Sequence, residues 1–307
     1  MKIIQMQEIK QLNSQFGIEN TLRFEQDESG FTMVLIDNEH SKAKVSTYGG
    51  QILSFQPHNE ADDLLYLSEH AVYKDGEAIR GGTPICWPWF GDDTSGLGMP
   101  SHGFARNQPW QVVQSQTLTD GSTSITLLLT DTDGSRAVWP HQFELYMEMV
   151  VGKKLTLNLT TKNTGTKAFT FTQALHTYFN ISDIKQVEVS GLTSKYYLDK
   201  LDRFNLKMQE GNIRFDKEVD RIYQAAPYMV HLKDAGLKRT VAISSTGGHT
   251  TVVWNPWAEN AESIKDLDEN SYRNFVCVET VNAGDDDVVL AANEQHTLSA
   301  VYSIETD

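Results

Sequence analysis

Residues Phe143–Leu175 read FELYMEMVVGKKLTLNLTTKNTGTKAFTFTQAL. Their dominant period is two rather than 3.6, and turn residues fall at Gly152-Lys153 and around Asn163-Thr164-Gly165. This is the pattern of extended segments joined by tight turns. The scheme recurs on both sides. Trp110–Thr130 contains QVVQSQTL and STSITLLLT about a hairpin signal at Asp120-Gly121. YMVHLKD and TVAISS close over Ala235-Gly236, while FTMVLID (Phe31–Asp37), NFVCVET and HTLSAVYSI add further strand-length runs. Helical pattern is confined to the first fifteen or so residues and to Ala258–Leu267, where Asn260 is placed to cap a short turn. Strands at short spacing, with few helices to make parallel crossovers, predict an antiparallel all-β sandwich or barrel.

The composition agrees. Of 307 residues, 39% are hydrophobic and 22% charged, which is globular rather than disordered. A chain of this length buries about 75% of its unfolded surface and needs no disulfide or metal staple. No repeat, low-complexity tract or composition break marks a linker. One sandwich domain over residues 1–307 is therefore expected, with residues 1–25 as an extension packing on it. The net charge of −15 argues against a nucleic-acid binder, whose affinity rests on Lys and Arg neutralising phosphates. It also requires that an anionic substrate be held by a local cluster of cations. Cys86 and Cys277 form no CxxC pair, and buried free thiols in a reducing compartment are the expectation. The start, MKIIQMQEIK, has no uninterrupted apolar stretch, and nothing approaches the ~20 apolar residues of a membrane span. A cytoplasmic monomer without membrane partners is expected.

Four segments carry candidate chemistry. Ile79–Gly91, IRGGTPICWPWFG, is too rich in Gly and Pro for a central strand. It reads as a rigid loop presenting Arg80 and aromatic faces, or as a loop whose tryptophans only fill space. Ser101–Arg106, SHGFAR, places a histidine and an arginine four apart. They either converge on an anionic or polyhydroxy ligand or lie solvated at the surface. In Thr170–Phe179, TFTQALHTYF, alternation puts Phe171, Leu175 and Phe179 on one strand face and Thr172, Ala174, His176 and Tyr178 on the other. A lone histidine is more often structural than catalytic, and the polar face shifts the balance modestly. In Asn274–Asn282, NFVCVETVN, Glu279 lies within a run apolar on both faces. Burial raises a carboxyl pKa towards that of a base working near neutrality, unless Glu279 sits at a frayed end facing water. Asp220, in EVDRIY, is placed either to pair with Arg221 or to accept hydrogen bonds from sugar hydroxyls, and Trp254-Asn255-Pro256-Trp257 adds aromatic loop.

IRGGTPICWPWFG, SHGFAR, QALHTYF, EVDRIY and FVCVETV, in this order and at these separations, resemble the glucose-6-phosphate 1-epimerase family of the aldose 1-epimerase superfamily. Each motif is modest; the ordered set is specific and runs from about residue 30 to the C-terminus. The resemblance implies a galactose mutarotase-like β-supersandwich. It further implies His176 and Glu279 as the catalytic pair, with Arg80, Ser101, His102, Arg106 and Asp220 around the substrate. One departure stands out: related sequences often carry Gln immediately before HGFAR, where this chain has Ser101.

The residues fit that chemistry. Exchange of α and β anomers needs a base for the C1 hydroxyl proton and an acid for the ring oxygen, which Glu and His supply without metal or cofactor. No metal-ligand spacing, dinucleotide fingerprint or P-loop is present in the sequence. Indoles among Trp87, Trp89 and Trp254 are candidates to stack on a pyranose, and Arg80 with Arg106 to clamp a phosphate. The alternatives are an aldose 1-epimerase acting on unphosphorylated hexoses and a non-catalytic carbohydrate-binding or regulatory protein. A glycosidase fits less well, because it needs two carboxyl groups flanking the bond.

Overall fold

The computed structural model describes residues 8–305. Alternation decides the architecture. Phe143–Val151 and Leu155–Asn163 bury every second residue, placing Phe143, Leu145, Met147, Met149 and Val151 opposite Leu155, Leu157 and Leu159 in one apolar layer. Burying one such face of each strand is worth about 25 cal/mol per Å² of apolar surface removed from water. These two strands lie inside an 8-stranded sheet of order Val187–Ser190, Met229–Asp234, Arg239–Thr246, Gln295–Glu305, Leu155–Asn163, Phe143–Val151, Thr123–Thr130, Gln111–Thr117.

A second 8-stranded sheet runs Asn205–Met208, Tyr196–Asp199, Val219–Tyr223, Thr250–Asn255, Phe275–Asn282, Gln173–Leu175, Ile85–Cys86, with Tyr178–Asn180 also paired to Phe275–Asn282. Every paired register is antiparallel, and a 4-stranded meander, Leu22–Gln26 to Gln51–Pro57, packs into the same apolar core. The antiparallel sandwich expected from the sequence is what the chain forms. The strands read as hairpins pair as read, about Asp120-Gly121, Gly152-Lys153 and Ala235-Gly236.

Among the described residues no helix is long and apolar enough to cross a membrane. The helical pattern near the N-terminus falls on Ile9–Phe16, and Leu22–Gln26 is the first strand of the meander. The remainder of the expected N-terminal extension, residues 1–7, lies outside the described residues. The pattern at Ala258–Leu267 is corrected: the helix is Trp257–Ala261, and Asn260 lies inside it rather than capping it. Pro256 precedes the helix, and the Asn260 side chain donates to Glu218 instead.

Phe275–Asn282 is buried at every position. Val276 and Val278 join the main core, whereas Phe275, Cys277 and Val281 belong to smaller clusters on the opposite face. By alternation Glu279 shares that opposite face. Cys86 and Cys277 are buried free thiols, as expected.

Candidate active site

The segment read as one strand, Thr170–Phe179, is three. Phe169–Phe171 pairs with Val288–Leu290, Gln173–Leu175 with Phe275–Asn282 and Ile85–Cys86, and Tyr178–Asn180 again with Phe275–Asn282. The two faces are nonetheless those expected, with Phe171, Leu175 and Phe179 in the main core. The break serves the site. Gln173↔Asn282, Ala174↔Val281 and Leu175↔Thr280 are in register with Tyr178↔Cys277, so the unpaired position between them sets His176 opposite Glu279. At the break the Thr177 N–H turns back to Leu175 O (3.0 Å), while the His176 N–H continues the register with Ile85–Cys86 by donating to Pro84 O (3.0 Å). His176 Nε2 then lies 3.4 Å from Glu279 Oε1. Both side chains are buried; Glu279 is 2% exposed.

The remaining walls come from loops. Gly82 adopts φ 62°, and a Cβ there would overlap Ile52 O; Gly103 adopts φ 74°, and a Cβ would overlap Trp87 O. Only glycine permits these left-handed, close-packed positions, which bring Arg80 and His102 against the sheet. Arg80, His102, Arg106, His176, Asp220 and Glu279 line one cavity of about 300 Å³, the lower end of small-ligand pockets. Six of the seven residues singled out are thus brought together. Ser101 is not among the lining residues: its Oγ donates to Asp92 Oδ1 at 2.8 Å, on the solvent side of the loop.

Two further readings are corrected. Asp220 does not pair with Arg221, because neighbours on a strand point to opposite faces. Asp220 Oδ2 accepts from Lys200 Nζ at 3.1 Å, while Arg221 donates to Gln209 Oε1 and lies over the Tyr197 ring. Of the three indoles proposed for stacking, only Trp254 lines the cavity. Trp87 is fully buried, donating Nε1–H to Thr161 Oγ1, and Trp89 packs against Phe104. Lys200, a wall residue, was missed: within YLDKLD it reads as an ordinary solvated lysine.

Electrostatics divides the site into a neutral floor and a cationic rim. Burial, then the nearby Asp220 carboxylate, holds Glu279 well above the ordinary glutamate value, opposed by Lys200 and Arg106. Burial, then His102, Arg106 and Arg80, holds His176 well below the ordinary imidazole value. His102 is held down to about 3 by burial, Arg106, Lys200 and Arg80. Its Nδ1 accepts from Gly91 N–H at 3.3 Å, so the neutral ring carries its proton on Nε2. Arg80 donates Nε–H to Asp266 Oδ1 (3.1 Å) and Nη1–H to the Tyr178 hydroxyl (3.0 Å), and Tyr178 stacks on His176 at 5.0 Å. Three buried polar atoms here have no partner among the described residues: His176 Nδ1, Glu279 Oε2 and Arg106 Nε. Such groups cost about 1–3 kcal/mol each when unpaired, so the site is built to be completed by a polar ligand. Among the described residues no group of three or more His, Cys, Asp or Glu is placed to hold a metal ion.

A family model described as Aldose 1-epimerase matches residues 32–303. The chain belongs to the aldose 1-epimerase family. An Escherichia coli K12 member carrying the provisional name glucose-6-phosphate 1-epimerase is 34% identical over 270 residues, spanning 88% of this chain and 89% of that protein. A member from Cenchrus ciliaris under the same provisional name is 37% identical over 246 residues, spanning 77% and 74%. The crystal structure of a Salmonella typhimurium protein, provisionally titled a mutarotase, matches with a TM-score of 0.86 at 32% identity and covers 94% of each chain. The family, the isomerase class and the mutarotase-like fold implied by the ordered motifs are thereby borne out.

Proposed function

We propose that the protein interconverts the α and β anomers of a hexose 6-phosphate, with glucose 6-phosphate as the reference substrate. The observation that carries the chemistry is the placement of His176 Nε2 3.4 Å from Glu279 Oε1 at a buried cavity floor. The two oxygens to be served, the C1 hydroxyl and the ring oxygen, are both bonded to C1, so an acid and a base side by side on one cavity floor can reach both. Glycosidase carboxyl pairs stand about 5 Å or more apart across a bond and serve a different geometry.

The pair holds one proton between them, since burial disfavours both the carboxylate and the imidazolium. Passing that proton from Glu279 to His176 creates a carboxylate and an imidazolium without exchange with solvent, and Arg106 and Lys200 favour the carboxylate. Glu279 then takes the C1 hydroxyl proton while His176 protonates the ring oxygen, and the C1–O5 bond opens to the aldehyde. Rotation about C1–C2 and closure with reversed roles give the other anomer. His102 Nε2–H and the Asp220 carboxylate offer a donor and an acceptor for sugar hydroxyls, and Trp254 offers an apolar wall.

The substrate class rests on the cationic rim and on the provisional names of the relatives. Arg106 is the stronger phosphate ligand, with a buried Nε free of partners among the described residues. Arg80 adds its field but is already matched by Asp266. Anomer-exchange NMR on glucose 6-phosphate, glucose and galactose tests the reading. Faster exchange on the free hexoses would favour the aldose 1-epimerase alternative, and binding without exchange would favour a carbohydrate-binding protein.

A further inference from the structure

The three cations in the cavity wall are held differently. Arg80 is tied to Asp266 and Tyr178, and Arg106 donates Nη2–H to Ser101 O at 2.9 Å. Lys200 sits on the short turn Lys200–Asp202 between Tyr196–Asp199 and Asn205–Met208, the edge hairpin of the site sheet. The carboxylates beside it in sequence are both taken by Lys207, Asp199 at 2.8 Å and Asp202 at 2.7 Å. Among the described residues the ion-pair partner left to Lys200 is Asp220, itself a cavity wall residue. The Lys200 side chain is 48% exposed, against 27% for Arg80, so it has room to turn.

Charge matching makes this arrangement incomplete for a phosphate. Asp266 balances Arg80 and Asp220 balances Lys200, leaving Arg106, among the described residues, as the cavity cation without an ion-pair partner to face a dianion. The Asp220 carboxylate in the same wall also repels that dianion. The first problem is relieved if one ammonium changes partner, which a flexible four-carbon stem allows and a fixed guanidinium fork does not.

We propose that Lys200 is the phosphate-selecting arm of the site, leaving Asp220 for the phosphate of an entering hexose 6-phosphate and freeing the Asp220 carboxylate to accept sugar hydroxyls. The inference rests on the hexose-phosphate reading above. An unphosphorylated hexose offers Lys200 nothing to move to and meets Asp220 already occupied. Selectivity then arises from an exchange of ion-pair partners as well as from an added contact.

The test is a double-mutant cycle read with inorganic phosphate. Its affinity is measured by titration calorimetry for wild type, Lys200→Ala, Asp220→Asn and the double variant, each checked for fold by circular dichroism. Lys200→Ala is expected to weaken phosphate binding about 10–100-fold, the worth of one charge-assisted hydrogen bond. It should raise KM for glucose 6-phosphate by a similar factor and KM for glucose by much less. Asp220→Asn is expected to tighten phosphate binding, and that gain should shrink markedly when Lys200 is absent, leaving only the relief of direct repulsion. A gain from Asp220→Asn that persists undiminished in the Lys200→Ala background overturns the proposal, because Asp220 then acts through its field alone. Equal losses on both sugars in Lys200→Ala overturn it too, since Lys200 then only positions Asp220. A wild-type protein that shows the phosphate cycle yet exchanges no anomers supports the arm while sinking the activity reading.

Discussion

Replacing Glu279 by Gln is expected to make the protein slower and more stable at once. The side chain is 2% exposed, and burial with Asp220 nearby keeps its native pKa well above the ordinary value of 4.5. Below pH 4.5 the carboxyl is protonated in both folded and unfolded chains and costs nothing. As pH rises beyond 4.5 the unfolded chain ionises while the native one keeps its proton. Stability therefore falls by about 1.4 kcal/mol per pH unit until the native group also titrates. Moving the proton onto His176 does not alter this, because linkage counts protons bound and not their location. Gln has the shape without the titration, so this slope disappears. Urea unfolding of both proteins at pH 5 and pH 7 should show the Glu279→Gln advantage growing with pH by up to that slope. Turnover should meanwhile drop ~10²–10⁴-fold, the usual worth of a positioned base. Parallel stability curves for the two proteins across this range would refute the buried, proton-holding Glu279 on which the mechanism rests.

His176→Asn should lower kcat by a comparable ~10²–10⁴-fold, and the double variant should lose far less than the product, because the two residues act in one step. The kcat/KM profile should be bell-shaped in pH, its acid limb marking a second proton on the His176–Glu279 pair and its alkaline limb loss of the shared one; a flat profile would mean that proton transfer does not limit the rate. Arg106→Ala should raise KM for glucose 6-phosphate by ~10–100-fold and KM for glucose by much less, and Arg106→Lys should rescue only in part, for want of the planar fork. Arg80→Ala, by contrast, should impair both sugars and lower Tm, because it leaves the half-buried Asp266 carboxylate and the buried Tyr178 hydroxyl without their partner.

The sandwich was legible because a period of two survives wherever one strand face meets the core, as in Phe143–Val151 and Leu155–Asn163. The broken strand around His176 was not. Its alternation is continuous in sequence, and only the pairing partners, about a hundred residues away, interrupt it. Glu279 was readable as a carboxyl inside an apolar run. Its juxtaposition with His176 depends on cross-strand register, which residue patterns do not encode on their own. Asp220 was found, and of its two readings the pairing with Arg221 fails, since adjacency along a strand is not adjacency in space. Lys200 escaped notice because a lysine among aspartates carries no pattern until the hairpin is folded over the cavity. Ser101 came in through the resemblance, and the loop turns its hydroxyl towards Asp92.

The register that sets His176 opposite Glu279 has a bearing on how such a site can diversify. Directly opposed residues of antiparallel strands keep their Cα atoms about 4.5–5.5 Å apart whatever the side chains are. The pairs on either side of the break, Leu175↔Thr280 and Tyr178↔Cys277, thus gauge the distance between acid and base through the sheet itself, deep in the part of the molecule least tolerant of change. Substrate choice is delegated to the rim, where Arg106, Lys200 and the Ser101 loop hang from turns. Rim substitutions can retune which sugar is admitted without altering the strand register beneath, so the spacing of the catalytic pair and the choice of sugar are free to drift at separate rates.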